Sequence, residues 1–324
     1  MSDEIYSEAV KKVFFNPISF GGNRLCILSD QASPSMASWL LKTYEENDVA
    51  GISIELIITS AIKQGILETN HSGFKELHQS FRKGTVNHFV CSYYYGPLNI
   101  ENNLYLWLKD ETPITAFSCS CDFTQSSMLK KRNEFSLNKN VASAYEIFES
   151  AVNNSIYCIN SEVEDYISIV KAPLPASTDL LADDPNYICL SLIVNNTGEP
   201  GRKSGLNWGQ RENRNPNEAY IPLPRKIAKS GFFPLNKQHF LVVTDDHHTL
   251  LLRVEQQNDK AITTPASNAQ LGEYFRNRLG LANGARVHTR DLDAYGRRDV
   301  SFYKIDDEQF YMDFSVNKER NNHG

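Results

Sequence analysis

The sequence lacks an apolar run long enough to cross a membrane. A spanning helix needs ~18 or more consecutive apolar residues, and no stretch of this 324-residue chain approaches that length. The first residues, Met1–Lys12, are acidic and polar and do not resemble a secretory signal. These absences argue against a membrane-embedded or exported class, and they predict a cytoplasmic protein.

Cysteine is also scarce, and the six cysteines form no C-x-x-C pair. Most of them lie in apolar, strand-like runs, which predicts reduced and buried thiols rather than a disulfide framework. Cys119 and Cys121 form a C-x-C, but two thiols without a second pair are weak evidence for a metal site. His247 and His248 follow two aspartates, and this run is more typical of a polar hairpin tip than of a metal cluster.

An excess of positive charge is missing overall, because 33 basic residues stand against 39 acidic ones. The net charge of −6 is unevenly spread: residues 1–200 hold 14 basic and 24 acidic residues, whereas residues 201–304 hold 17 and 10. Residues 305–324 hold 2 and 5. A basic second half behind an acidic first half predicts that the second half binds a polyanion.

The length of the chain exceeds the roughly 100–200 residues of one domain, and 41% hydrophobic residues suffice for two cores. The first half alternates strands and helices, which favours an α/β layered domain with a largely parallel sheet. Its predicted strands are Arg24–Ser29, Ile52–Thr59, His88–Tyr94, Asn103–Leu108, Ile114–Cys121 and Ser155–Cys158, and its predicted helices are Ser35–Glu46, Gly73–Ser80 and Ala142–Val152.

A turn-rich segment at residues 172–177 (APLPAS) marks a domain boundary. We expect a first domain over residues 1–172, a linker over 173–186, a second domain over 187–316 and a polar tail over 317–324. The second domain shows little helix beyond Ser267–Leu279 and predicts a barrel or sandwich of short strands. These strands are Tyr187–Val194, Tyr220–Pro222, His239–Thr244, Thr249–Glu255, Val287–Thr289, Val300–Ile305 and Phe310–Phe314.

Two basic segments of the second half carry residue types that can read base edges. Arginine pairs with guanine, and asparagine or glutamine pairs with adenine, when a loop enters the major groove. The first segment offers Asn207, Trp208, Gln210, Arg211, Arg214, Asn215 and Asn217. The second, within Arg286–Arg298, offers Arg290, Asp293, Tyr295, Arg297 and Arg298. The alternative is that both segments are solvated hairpin tips with ordinary surface arginines.

Further cations are candidates for contacts to phosphate. Arg225 and Lys226 follow Pro222-Leu223-Pro224 at the possible start of a helix, where phosphate contacts are common. Arg276 and Arg278 stand two positions apart on a predicted helix and therefore face different sides. One of these two could contact the DNA backbone while the other is structural.

Longer phrases of the second half carry a resemblance to a known family. SGLNWGQRENRNPNEAYIPLP, TDDHHTLLLRVEQQNDKAITT and GRRDVSFYKIDDEQFYMDF resemble the B3-like DNA-recognition domain of NgoFVII-type restriction endonucleases. The resemblance implies a seven-stranded pseudo-barrel whose N-arm and C-arm enter the major groove of double-stranded DNA. In this sequence the N-arm corresponds to about Gly205–Asn217 and the C-arm to about Arg290–Arg298.

The first half resembles the phospholipase-D-like nuclease domain of the same family, through SGFKELHQSF, LYLWLKDETPITAF and the FTQ at Phe123–Gln125. The resemblance implies an α/β/α fold and metal-free cleavage by a histidine nucleophile, assisted by a lysine and an asparagine. Because each chain supplies one such motif, it also implies a homodimer. Some relatives work with a separate ATP-driven, helicase-like subunit.

The sequence departs from this family at the catalytic motif. Glu101 stands at the histidine position and Asn103 at the lysine position, and the Gly-Ser-x-Asn motif is reduced to Ser120 with Asp122. Glutamate cannot form a phosphohistidine-type intermediate, and two carboxylates would repel the phosphate. We therefore expect the usual chemistry to be absent, and no cofactor to be needed. Alternatively, Glu101, Asp122 and Glu134 could bind Mg²⁺ for hydrolysis.

Two hypotheses follow for the whole chain. In the first, it is a restriction endonuclease or a subunit of one, in which the second domain finds the site and a dimeric first domain cuts. In the second, it binds specific DNA without cutting, and the first domain only dimerises or recruits a partner.

Two histidines of the first half are also candidates for a catalytic role. His71 and His78 lie seven positions apart and could share a helix face, but a structural role is favoured for both.

Overall fold

The computed structural model describes residues 8–82, 86–97, 103–129, 136–138, 140–171, 184–194 and 196–316. The chain divides into two compact units, Met1–Ala172 and Pro173–Gly324. The linker predicted over 173–186 lies outside the described residues up to residue 183, and the tail predicted over 317–324 lies wholly outside them. Within the described ranges, no helix has both the length and the apolar character to cross a bilayer.

Strands and short helices alternate along the N-terminal unit. Its strands are β1 (Arg24–Ser29), β2 (Ser53–Ile58), β3 (Ile66–Leu67), β4 (His88–Tyr94), β5 (Asn103–Lys109), β6 (Thr112–Cys119), β7 (Ser136–Leu137), β8 (Ser155–Tyr157) and β9 (Ile169–Val170). Its helices are α1 (Glu8–Val10), α2 (Asn16–Ser19), α3 (Pro34–Glu46), α4 (Ala61–Gln64), α5 (Glu68–Ser80), α6 (Gln125–Met128), α7 (Val141–Val152) and α8 (Val163–Tyr166), with a π-helical turn over Lys11–Phe15.

The beginning of α3 follows from its sequence. Ser33 is in an extended conformation, and its hydroxyl accepts a hydrogen bond from the Met36 N–H at 3.2 Å, while Pro34 occupies the first turn. The helix predicted over Gly73–Ser80 is longer than expected, because α5 already begins at Glu68. This extension places His71 and His78 in one helix.

The main sheet of the N-terminal unit is mixed. Its strand order is β7-β6-β5-β1-β2-β4-β8, and only β1, β2 and β4 are joined by parallel pairing. The prediction of a largely parallel sheet is therefore wrong. One antiparallel pair has a local cause: β5 and β6 are joined by only Asp110 and Glu111, and so tight a hairpin forces antiparallel pairing. β5 also pairs antiparallel with β1, and β8 with β4.

Helices lie on both faces of this sheet. Tyr94 packs in a core with Phe148 and Ala151 of α7. The neighbouring Tyr93 faces the opposite side, where its hydroxyl lies 2.9 Å from Nδ1 of His71 on α5. The α/β/α layering implied by the resemblance is present.

The C-terminal unit is mainly β-structure. Its strands are β10 (Tyr187–Ser191), β11 (Ile221–Pro222), β12 (His239–Thr244), β13 (Thr249–Glu255), β14 (Ala261–Thr263), β15 (Asp299–Lys304) and β16 (Gln309–Asp313). Its helices are α9 (Arg225–Ala228), α10 (Asn268–Arg278) and α11 (Thr289–Tyr295), with a 3₁₀ helix over Gly205–Gln210.

The seven strands of this unit form one sheet in the order β10-β15-β16-β12-β13-β14-β11. Its two end strands, β10 and β11, contact each other, so the sheet closes almost completely into a barrel. Aromatic side chains fill the interior: the ring of Phe233 lies 5.2 Å from those of Phe240 and Phe302, centroid to centroid. The pseudo-barrel implied by the resemblance is confirmed.

One strand prediction in this unit is wrong. Val287–Thr289 does not form a strand, because a helix, α11, begins at Thr289. The side chain of His288 accepts from the backbone of Asp291, and the Asp291 carboxylate accepts from the His288 N–H at 2.7 Å. This reciprocal capping box begins the helix and makes most of the predicted C-arm helical rather than a loop.

Candidate DNA-binding arms and the edge of the N-terminal sheet

The N-arm, residues 205–217, is an exposed run on a closed base. After the 3₁₀ helix, residues 211–216 are all exposed, and the chain re-enters the interior at Asn217. The two ends of this run are joined at Gly209, whose N–H donates to the Glu218 carbonyl at 2.7 Å. A Cβ at Gly209 would lie 2.2 Å from the Asn215 carbonyl oxygen. The exposed run therefore projects from a base that admits no side chain at this point.

Three amide side chains form that base. Asn207 is fully buried, and its amide nitrogen and oxygen bond the Val287 carbonyl and N–H, each at 2.8 Å. Gln210 donates to the Gly284 carbonyl at 3.0 Å, and the Asn217 side-chain oxygen accepts from the Gly284 N–H at 2.5 Å. These amides hold the N-arm against residues 284–287. Base reading by the same three amides stays a prediction, and it would require their bonds to change.

The other predicted N-arm residues lie nearer to solvent. Arg211 and Asn215 are exposed, and Arg211 Nε donates to the Lys203 carbonyl at 2.9 Å. The Arg214 guanidinium lies 4.0 Å from the ring centroid of Trp208, and its Nη1 is 2.5 Å from the Glu218 carboxylate. This cation–π contact and ion pair keep Arg214 on the arm. Of the predicted N-arm residues, Arg211 and Asn215 are exposed without such an ion pair.

The C-arm, residues 290–298, consists of most of α11 and the turn after it. Gly296 ends the helix in the left-handed conformation, with φ of 99°. Arg290 is exposed, and so are Asp293 and Arg298, which form a bidentate ion pair with one N···O distance of 2.7 Å. This pair neutralises Arg298, whereas the side chain of Arg290 is 81% exposed and its Nε lies 3.7 Å from the Asp291 carboxylate.

The remaining C-arm residues point inward. Arg297 lies 2.6 Å from the Asp313 carboxylate and 2.9 Å from that of Asp299, and its side chain is only 14% exposed. The Tyr295 hydroxyl donates to the Phe314 carbonyl at 2.7 Å, and the two rings stack. Arg297 and Tyr295 hold the turn in place, and their contacts to DNA stay a prediction.

The two cations predicted to contact phosphate lie on α9. Arg225 and Lys226 are both exposed, so a phosphate can reach them.

In the N-terminal unit, the predicted catalytic positions that the structure describes meet at one edge of the sheet. Asn103 begins β5, which is paired antiparallel with β1, and it stands opposite Cys119 at the end of β6. Ser120 and Asp122 follow directly. This is the carboxyl edge of the parallel strands, where α/β sheets commonly bind ligands. Glu101 and Glu134 lie outside the described residues.

Asn103 is buried and used by its neighbours. Its side-chain oxygen accepts from the Asp30 N–H at 2.7 Å, and its side-chain nitrogen donates to Asp122 at 3.3 Å. Asp122 also accepts from the Gln31 N–H at 3.3 Å. The residue at the lysine position thus ties the loop after β1 to the loop after β6, and it brings no positive charge to the edge.

The electrostatics of this edge are unfavourable to a phosphate. Partial burial raises the pKa of Asp122, the hydrogen bonds from Gln31 and Asn103 lower it, and the nearby Asp30 carboxylate raises it again. Among the described residues, no group of three or more His, Cys, Asp or Glu side chains is arranged to hold a metal ion. His247 and His248 are among the residues searched for such a group, whereas Glu101 and Glu134 lie outside the described residues.

The two histidines of α5 do not supply a replacement nucleophile at the surface. His71 is buried against Tyr93, and burial, with a smaller contribution from Lys75, lowers its pKa to about 4. His78 is buried as well, and its Nδ1 accepts from the Cys91 N–H at 3.3 Å. Their contacts agree with the structural role favoured from the sequence.

Two family models match the chain, one for each unit. The NgoFVII restriction endonuclease N-terminal PLD domain matches residues 8–165, and the NgoFVII C-terminal B3-like DNA-binding domain matches residues 180–306. The chain belongs to the NgoFVII restriction endonuclease family. Its function is the sequence-specific recognition of DNA by a restriction enzyme, with the C-terminal domain as the DNA-binding part. No curated protein matches the chain.

This NgoFVII-family domain carries two basic residues beside the N-arm that sequence reasoning missed. Arg202 and Lys203 are exposed on one side of the N-arm base, and Arg286, the first residue of the predicted second segment, is exposed on the other. The bonds of Asn207 bring these segments together, since it donates both to Gly201 and to Val287, 80 positions away. Their proximity is tertiary, and no local pattern signals it.

Proposed function

We propose that this NgoFVII-family chain is the site-recognition component of a restriction system. The N-arm and C-arm read a short duplex through the major groove, and Arg211, Asn215 and Arg290 are the side chains best placed to reach it. The exposed run 211–216 supports this proposal, because a base held by buried amides presents it without collapse. Rigid presentation reduces the entropy lost on binding.

The proposal for the N-terminal domain is that it does not cut DNA by the histidine chemistry of phospholipase-D-like nucleases. Asn103 occupies the lysine position and is bonded to Asp30 and Asp122, which supports this view. We expect the domain to serve as a dimerisation or recruitment module in the cytoplasm, and a separate ATPase-type subunit remains part of the proposal. Glu101, Asp122 and Glu134 are the candidate ligands if a Mg²⁺-dependent site exists instead.

Binding and cleavage on long natural DNA test both parts. Full-length protein should protect discrete sites, and it should release no fragments in EDTA. Equal affinity for all duplexes at physiological salt would refute site recognition. Fragments formed in EDTA would refute the proposal for the first domain, whereas fragments that need Mg²⁺ would support the carboxylate alternative.

A matched pair of variants sharpens the cleavage test. Replacing Glu101→His, Asn103→Lys and Asp122→Asn together restores the residue types of the family motif, while Asn103→Lys alone restores only one. EDTA-resistant cleavage by the triple variant and not by the single one would support a decayed nuclease site. Size-exclusion chromatography with light scattering measures the molar mass and so decides whether the protein is a homodimer.

A further inference from the structure

Two arginines of α10 connect this helix to both candidate arms. Arg276 and Arg278 stand two positions apart, so their side chains leave the helix about 200° from each other. The sequence left open which of them contacts DNA, yet Arg276 is fully buried and the side chain of Arg278 is only 14% exposed. Both are therefore engaged within the protein.

The Arg276 side chain binds the main-chain carbonyl groups of the N-arm. Its Nη2 donates to the carbonyl oxygens of Leu206 and Pro216, each at 3.1 Å, and its Nη1 donates to that of Asn217 at 3.3 Å. Its Nε donates to the Ala285 carbonyl at 2.7 Å. One guanidinium therefore joins the start of the arm, its end and the segment behind it, without a carboxylate among these acceptors.

The close approach of α10 to the N-arm depends on a glycine. A Cβ at Gly272 would lie 1.6 Å from the Asn217 carbonyl oxygen, so any other residue there must displace the end of the arm. Gly272 stands one helical turn before Arg276, whose Nη1 also donates to the Gly272 carbonyl at 3.1 Å. The helix and the arm are thus fitted to each other at backbone distance.

Arg278 acts on the C-arm instead. Its Nη2 donates to the Tyr295 hydroxyl at 2.6 Å and to the Phe314 carbonyl at 3.2 Å. The guanidinium is itself held by Asp245, with N···O distances of 2.9 and 2.7 Å. Tyr295 ends α11, so the position of the C-arm helix is set by the same helix, α10, that holds the N-arm.

We propose that α10 is the shared positioning element of both DNA-reading arms, with Arg276 setting the N-arm and Arg278 setting the C-arm. The proposal rests on the proposed function, in which the two arms read DNA. The arms contribute the contacting side chains, and the two arginines act through them. Each arginine should therefore govern a different set of base pairs within one recognition site.

The test compares Arg276→Lys with Arg278→Lys in the full-length protein, because lysine keeps the charge and loses the fork of donors. Binding selection from randomised duplexes should show discrimination falling about 5- to 150-fold at a few base pairs, the loss expected when one bidentate base contact fails. The two variants should relax different base pairs. Each is the control for the other, and Lys304→Ala, which removes a cation outside both arms, should relax none.

Hydrogen exchange without DNA gives a second readout that does not depend on recognition. Arg276→Lys and Gly272→Ala should speed exchange in residues 205–217 and leave 289–298 protected, while Arg278→Lys should do the opposite. Equal loosening of both arms in each variant, or relaxation of the same base pairs by both lysine variants, would overturn the proposal. If the unmodified protein shows no sequence preference, the proposed function fails, and the exchange pattern still decides whether α10 positions the arms.

Discussion

Asn207 offers a direct choice between a DNA contact and a structural role. The amide is fully buried, and it pairs with both the N–H and the carbonyl of Val287 at 2.8 Å. In Asn207→Ala these two backbone groups stay buried and lose their partner. Because each unsatisfied buried group costs about 1–3 kcal/mol, the free energy of unfolding should fall by about 2–6 kcal/mol.

Two experiments on the full-length chain measure this loss: thermal unfolding, and hydrogen exchange in peptides from residues 187–316. A decrease of about 3 kcal/mol corresponds to a midpoint lowered by about 10 °C in a domain of this size. The matched control is Asn215→Ala, which removes an exposed amide from the same arm. It loses only the bond from the Asn217 N–H at 2.9 Å, so the expected loss is below about 1 kcal/mol.

DNA binding should rank the two variants differently. Where the protein is folded, Asn207→Ala should weaken specific binding only as far as the arm is loosened, whereas Asn215→Ala should weaken it with the fold intact. If Asn207→Ala leaves the unfolding free energy unchanged and abolishes binding, the amide reads DNA directly and its assignment to the base of the arm is refuted.

Two further outcomes can be measured on the same protein. Arg211→Ala should weaken specific binding by about 1–3 kcal/mol, measured by fluorescence anisotropy, with little change in stability. Arg297→Ala should instead lower the free energy of unfolding by about 3 kcal/mol, because it leaves Asp313 without its cationic partner. A large loss of stability in Arg211→Ala and a loss of binding alone in Arg297→Ala would show that the two arginines are wrongly assigned. Since partial burial raises the folded-state pKa of Asp122, its ionised form destabilises the fold at neutral pH, and this penalty disappears as the pH falls through that pKa. Asp122→Asn should therefore be the more stable protein near pH 7 and lose this advantage toward about pH 3, and a pH-independent difference in urea unfolding would contradict the cause.

Strands and helices with a strong local signal were predicted well. β1, β4, β12 and β13 have the bounds expected from their apolar runs, and α3 begins at its serine cap. The predictions that failed depend on pairing or on side-chain capping. The sheet is mixed because β5 and β8 pair antiparallel with β1 and β4, and because a short hairpin joins β5 to β6. Val287–Thr289 leads into a helix because His288 and Asp291 cap each other.

The sequence by itself determined the family, the two-part composition, the acidic and basic halves and the replaced catalytic letters, because residue identity and order carry them. Only the tertiary structure decided which polar residues of the arms are exposed. The buried residues are of the same types as the exposed Arg211 and Asn215, since they are Asn207, Asn217 and Arg276. They are buried among carbonyls and N–H groups supplied by segments about 60–80 positions away. Burial depends on what the rest of the chain brings near, so no local pattern separates an amide that holds an arm from one that the arm presents.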